Sequence, residues 1–210
     1  MLRNCCWVIL TLVFAVSGSA EEWRPLSPAF RAKETKFSPT VGFNLTKKGE
    51  IILRNRGGFT SVQSTQDFAL SFSWRYTAGK DDGGYQDVLT VGIATDGDLN
   101  PQWSHEIVNG IAIALQAHAG EVTVHSRTDG TVIKGLGGKK GLKFERGKDY
   151  KVHISRYGAL VTVKIEDVEV LQVKVPEDAP KLGKILIYNR EPVAAIEQES
   201  ILGDIKLMLP

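Results

Sequence analysis

Two of the four histidines, His118 and His125, flank the short stretch Ala119-Gly120-Glu121 between two runs of alternating hydrophobicity. If those runs pair as a hairpin, the imidazoles approach each other across the ladder and can act as general acid and base. Glu191, in the stretch Tyr188-Asn189-Arg190-Glu191-Pro192, is a third candidate for proton transfer, at the end of a strand-like run. Arg75, Gln116, Arg127, Tyr188 and Arg190 fall on the polar side of alternating segments, and Trp103 lies in a long connecting stretch. Planar hydrogen-bonding groups with at least one ring for stacking suit a polar organic ligand, so these six are the substrate-binding candidates. The bland reading of the same residues is an ordinary solvated strand face, with Arg190 and Glu191 paired to each other.

Metal chemistry has less support. Asp96-Gly97-Asp98-Leu99-Asn100 offers oxygen atoms at alternate positions, as a structural calcium loop does. Pro101 and Ile107 stand where an EF-hand needs its glycine and its glutamate, so that motif fails. Apart from this weak calcium set, Asp96, Asp98 and Asn100, no metal and no cofactor is expected.

The elements that must position these groups are strands. In 67–76, DFALSFSWRY, the residues Phe68, Leu70, Phe72, Trp74 and Tyr76 alternate with small or polar ones. In 110–118, Ile111, Ile113 and Leu115 alternate with Ala112, Ala114, Gln116 and His118. A period of two is the mark of a half-buried strand. Further strand-like runs fall at 49–54, 86–95, 121–127, 150–156, 160–166, 168–175, 183–189 and 201–209. The stretch 149–175 reads as a three-strand meander, turning at Tyr157-Gly158 and Glu166-Asp167. No segment after the leader has the periodicity of a helix of three turns. Strands at this spacing, parted by Gly- and Asp-containing turns, indicate an all-β sandwich or barrel. The segment KGLGGKKGLKFERGK, with the densest basic group of the chain, reads as a solvated loop. It lacks interleaved aromatics and the ending of a phosphate-binding loop, so no nucleic acid partner is expected.

Residues 1–20 read as a secretory signal. Arg3 supplies the charged start, CCWVILTLVFAV the apolar run, and Ser17-Gly18-Ser19-Ala20 the small side chains of a cleavage site. About a dozen apolar residues are too few to span a bilayer, which needs roughly 20. The expected organisation is signal 1–20, an irregular arm 21–40 and one domain over 41–210, secreted or periplasmic and free of the membrane after cleavage. Cys5 and Cys6, the two cysteines of the chain, would leave with the signal. The mature domain would then have no disulfide or thiol chemistry and would be held by its core alone.

The succession DFALSFSWRY, KFERGKDYKVHISRYGALVTVKIEDVEVLQV, GKILIYNREP and ILGDIKLML resembles the strand order of concanavalin A-like jelly rolls. Over roughly residues 40–209 it is most similar to the bacterial 3-keto-disaccharide hydrolase-like domain, a relative of the laminarinase-type glycoside hydrolases. That resemblance implies a two-sheet antiparallel jelly-roll sandwich and an extracytoplasmic role in carbohydrate use. It does not bring the laminarinase carboxylates, because Glu166-Asp167-Val168-Glu169 has neither the spacing of that motif nor a place along a strand. The expected function is therefore a hydrolase of (3-keto-)glycosides, in which proton abstraction and elimination replace paired carboxylates. The alternatives are a lectin-like glycan-binding module and a structural or partner-binding sandwich.

Overall fold

The computed structural model describes residues 23–25, 30–33, 42–46, 48–54, 58–78, 88–94, 109–128, 131–179, 183–190 and 199–209. These contain fifteen strands and no helix. In chain order they are β1 (Trp23–Pro25), β2 (Phe30–Lys33), β3 (Gly42–Leu45), β4 (Ile51–Arg54), β5 (Gly58–Thr65) and β6 (Phe68–Ala78). Next come β7 (Val88–Ala94), β8 (Gly110–Gln116), β9 (Glu121–Thr128), β10 (Thr131–Lys140) and β11 (Tyr150–Tyr157). The last four are β12 (Leu160–Ile165), β13 (Val168–Lys174), β14 (Gly183–Arg190) and β15 (Glu199–Met208).

Two antiparallel sheets form from them. One is eight-stranded, in the order β13-β12-β11-β6-β15-β4-β3, with β1 also paired to β15. The other is seven-stranded, in the order β10-β9-β8-β7-β14-β5-β2. The chain passes from one sheet to the other between β1 and β2, β2 and β3, β4 and β5, β5 and β6, β6 and β7, β10 and β11, β13 and β14, and β14 and β15. This interleaving is what makes the sandwich a jelly roll, as the sequence leads one to expect.

The alternation within each strand explains why two layers form. Phe68, Leu70, Phe72 and Trp74 of β6, with Val152 and Ile154 of β11, all point inward from the first sheet. They meet Leu89, Val91 and Ile93 of β7, Ile111, Ile113 and Leu115 of β8, and Ile185 and Ile187 of β14. Each sheet has one apolar face, and stacking the two removes both from water. Trp74 lies at the centre of a ring cluster with Tyr76, Phe144 and Tyr150. Its indole N–H donates to Ser200 Oγ at 3.2 Å, so the one polar atom of the ring is satisfied inside the core.

Two segments differ from expectation. Part of the basic, glycine-rich stretch forms a strand, β10, paired to β9 through two register shifts. Gly137 has a structural cause, because β10 of one sheet packs against β13 of the other. A Cβ on Gly137 would lie only 2.5 Å from Val173 Cγ1. Side chains are excluded where two sheet edges come this close. The lysines themselves are solvated as expected, with Lys139, Lys140 and Lys143 all exposed. The second difference is in 21–40, where the expected irregular arm contains two strands. β1 pairs with β15 and β2 with β5, so this stretch adds a strand to each sheet.

Candidate functional site

The face of the seven-stranded sheet that points away from the core carries four of the expected residues, Gln116, His125, Arg127 and Tyr188. Cross-strand register sets them in rows. One row runs His125, Ala112, Gly92, Leu186 across β9, β8, β7 and β14. The next runs Thr123, Ala114, Thr90, Tyr188, and a third runs Glu121, Gln116, Val88, Arg190. Arg127 stands opposite Gly110, one row beyond His125. The larger polar side chains therefore rise from β9, while β8 and β7 supply mainly small residues. The rows span three inter-strand steps, about 14 Å, with a low floor in the middle.

The floor is largely withdrawn from water. Ala112, Leu186 and Tyr188 form a second buried cluster outside the main core. Tyr188, one of the substrate-binding candidates, is 1 % exposed. β5 runs directly beside β14 here, and a Cβ on Gly58 would lie 2.6 Å from that of Tyr188. The ring therefore serves as floor and not as an exposed platform. Thr90, Thr123 and Arg127 are also buried.

Gln116, Glu121 and His125 keep partial access to solvent on the β8–β9 side. Gln116 Nε2 donates to Thr123 Oγ1 at 3.2 Å, which orients its amide. His125 lies opposite Gly135 of β10, where even an added Cβ would stop 3.9 Å from Nδ1. β10 therefore raises no side chain directly opposite the imidazole. His125 is the one imidazole on this face among the described residues. Glu121 is four residues along β9 from His125, about 13 Å away. This face offers no pair of carboxylates among the described residues, so two-carboxylate hydrolysis has no geometry here.

Two expected groupings do not form. His118 lies in the β8–β9 turn and is exposed, whereas His125 pairs with Ala112, six residues back along β8. At about 3.3 Å per residue the two are roughly 20 Å apart, so they cannot share a proton-transfer site. The reason is register: Gln116 pairs with Glu121, which makes His118 part of the turn and carries His125 well down the ladder. Arg75 sits on the other sheet and faces outward from the opposite side of the sandwich. Its guanidinium donates to both carboxylate oxygens of Asp149 at 3.0 Å and lies 3.5 Å from Glu50 Oε1. It braces that surface and takes no part in the His125 face. Glu191, Trp103, and the calcium candidates Asp96, Asp98 and Asn100 lie outside the described residues, as does the signal 1–20. Of Arg190 only the register position opposite Val88 is described. Among the described residues no group of three or more His, Cys, Asp or Glu side chains is placed to hold a metal ion. No helix among them is long and apolar enough to cross a membrane.

Several solved structures have the same architecture. The chain is similar to the carbohydrate-binding module CBM66 from Bacillus subtilis, at 12 % identity and a TM-score of 0.62, covering 86 % of this chain and 95 % of that one. It is similar to the β-glucanase of Bacillus licheniformis, at 11 % identity and a TM-score of 0.58, covering 89 % and 94 %. The lumenal domain of VIP36, solved with Ca2+ and Man3GlcNAc, matches at 13 % identity and a TM-score of 0.60, covering 87 % and 85 %. No family model and no curated protein matches the sequence. At these identities the likeness concerns the fold, which is a concanavalin A-like jelly-roll sandwich.

Proposed function

We propose that the protein binds carbohydrate on the outer face of its seven-stranded sheet, along β8 and β9. The observation that carries this reading is the row arrangement. An oriented amide (Gln116), an imidazole (His125) and a buried guanidinium (Arg127) line one side of a floor of small residues. Planar donors and acceptors fixed on rigid strands suit the hydroxyls of a sugar ring, and Gln116, Glu121 and His125 keep partial access to solvent along the β8–β9 side. Jelly rolls that bind or cleave glycans, such as the binding module, the glucanase and the lumenal domain above, support the same substrate class. The leader at 1–20 favours a place outside the cytoplasm, where glycans are abundant.

A catalytic extension is favoured by His125. On a glycoside already oxidised at C3, the imidazole would take the proton from C2 as the C3 carbonyl becomes an enolate. Collapse of that enolate would restore the C3 carbonyl, form the C1=C2 double bond and break the C1–O bond, the leaving sugar oxygen taking the proton back from the imidazolium; water added across C1=C2 then completes hydrolysis. Such a route needs one base and no paired carboxylates, which fits the groups on this face.

A thermal-shift panel of oligosaccharides and their 3-keto derivatives tests both readings. Binding is expected to raise Tm for at least one class, and Gln116→Ala with His125→Ala should remove the rise without lowering the Tm of the free protein. If no glycan moves Tm, the carbohydrate reading is wrong. Cleavage of a 3-keto-disaccharide by the wild type, lost in His125→Gln with binding retained, would establish catalysis. Binding without cleavage would leave a lectin-like module.

A further inference from the structure

The opposite side of the sandwich carries a feature that this reading does not use. Tyr157 ends β11 and Leu160 begins β12, and the two are paired across the hairpin. Their side chains are 47 % and 41 % exposed, which makes them one apolar patch on an outward sheet face. Leu160 faces Lys174 of β13 on its other side. In the adjacent row Ser155, Thr162 and Gln172 stand side by side across the same three strands. Gln172 Nε2 donates to Thr162 Oγ1 at 3.3 Å, which orients an exposed amide on β13, one row along from Leu160 and Lys174.

The tip is held firmly. Gly158 N donates to Asp67 Oδ1 at 2.7 Å, and Arg156 Nε donates to Gly158 O at 3.1 Å. Val175 N donates to Ala159 O at 2.7 Å. The turn Gly158-Ala159 is therefore anchored to the β5–β6 turn and to the end of β13. The backbone next to the tyrosine is thus already ordered before anything stacks on the ring.

The size of the patch selects its occupant. Half of a tyrosine and two-fifths of a leucine amount to roughly 200 Å2, against about 800 Å2 per partner in a specific protein interface. That area corresponds to one face of a sugar ring. We infer that Tyr157 and Leu160, with Thr162, Gln172 and Lys174, form a second carbohydrate contact on the eight-stranded sheet. There the ring would stack on the C–H face of a pyranose or furanose, and the amide, hydroxyl and ammonium would take its hydroxyls. The inference rests on carbohydrate being the ligand class, but not on the His125 face being the place where it binds. Two contacts on opposite sides let one molecule bridge neighbouring chains of a polysaccharide, so affinity for a polymer exceeds that for an oligosaccharide.

The test is affinity electrophoresis of the full chain in gels containing laminarin, levan, xylan or mannan. The variants are Tyr157→Ala, Tyr157→Phe, and Gln116→Ala with His125→Ala. Tyr157→Ala is expected to weaken retention about tenfold, with Tm unchanged and oligosaccharide binding at the His125 face intact, while Tyr157→Phe keeps it. Retention should persist, weakened, in the Gln116/His125 variant and vanish when Tyr157→Ala is added. Equal retention of Tyr157→Ala and wild type overturns this inference alone and leaves the His125 face standing. Retention of the wild type by none of the four polysaccharides overturns it too. So does a Tyr157→Ala variant that alters only sedimentation, because the patch would then be a contact between copies.

Discussion

The edge-to-edge approach of the two sheets gives the sharpest test of the fold. Gly137 on β10 is the nearest glycine to the other sheet, and alanine there would bring Cβ to 2.5 Å from Val173 Cγ1. Carbon atoms normally stop at about 3.5–4.0 Å, so the intrusion is at least about 1 Å. Val173 is buried, and a β-branched side chain cannot swing aside without leaving its rotamer. Overpacking of this kind costs about 1–3 kcal/mol, reduced by the ~0.5–1 kcal/mol that alanine gains over glycine in a strand. A net loss near 1–2 kcal/mol is expected, or a fall in Tm of about 2–8 °C for a domain of this size. Gly138→Ala is the control, because its nearest neighbours would lie at 3.4 Å and it should be close to neutral. The decisive measurement is a double-mutant cycle by urea unfolding. Val173→Ala is destabilising alone, but in combination with Gly137→Ala it should recover about 1 kcal/mol or more. Simple additivity of the two losses would show that these edges do not meet, and the argument for β10 as a packed strand would fail.

Other expectations follow from single contacts. Asp167 has a left-handed backbone (φ 63°) in the β12–β13 turn, so Asp167→Gly should be tolerated while Asp167→Val costs about 1–2 kcal/mol by urea unfolding. Asn189 is wholly buried between the sheets, where Nδ2 donates to Leu53 O of β4 at 2.8 Å. Asn189→Ala strands that carbonyl and should cost about 1–3 kcal/mol, again by urea unfolding. Burial works to raise the pKa of Glu199, but the hydrogen bonds from Thr77 and Arg54 and the charge of Arg54 outweigh it, holding the carboxyl below its ordinary 4.5. A carboxyl depressed in the folded state stabilises above its unfolded pKa, and that stability is lost as pH falls through 4.5 and then the lower folded value. The urea midpoint of Glu199→Gln should therefore trail wild type at pH 6 and approach it near pH 3. An equal gap at both pH values would contradict this linkage.

The fold was legible wherever side chains alternate. Phe68 through Tyr76 and Ile111 through Leu115 mark both inner faces, and the β11–β12–β13 meander with its turn at Glu166-Asp167 stands as read. β10 was illegible because period two is written in side chains, and Gly135, Gly137 and Gly138 have none. Its strand character comes from β9 beside it and β13 against it, both non-local. The site divides in the same way. Alternation places Arg75 and His125 each on an outward face, but nothing local says that β6 and β9 belong to different sheets. His118 and His125 were brought together by assuming a tight turn, when the pairing of Gln116 with Glu121 sets them far apart along the ladder. Alternation puts Tyr188 on the outward side of β14, yet it is 1 % exposed, because its burial is set by non-local packing that no local pattern shows.

β15 occupies the interior of its sheet, with β6 on one side and β4 and β1 on the other, yet it lies nearest the C-terminus of all the strands. On the ribosome, β6 and β11 can pair as soon as both have emerged, but their sheet has a gap where β15 must go. The large aromatics of β6 cannot be enclosed until β15 joins the two halves. Closure of this sheet therefore depends on a strand more than a hundred residues from β6 in the chain, and a chain truncated before Glu199 should be cut readily by proteases within β6.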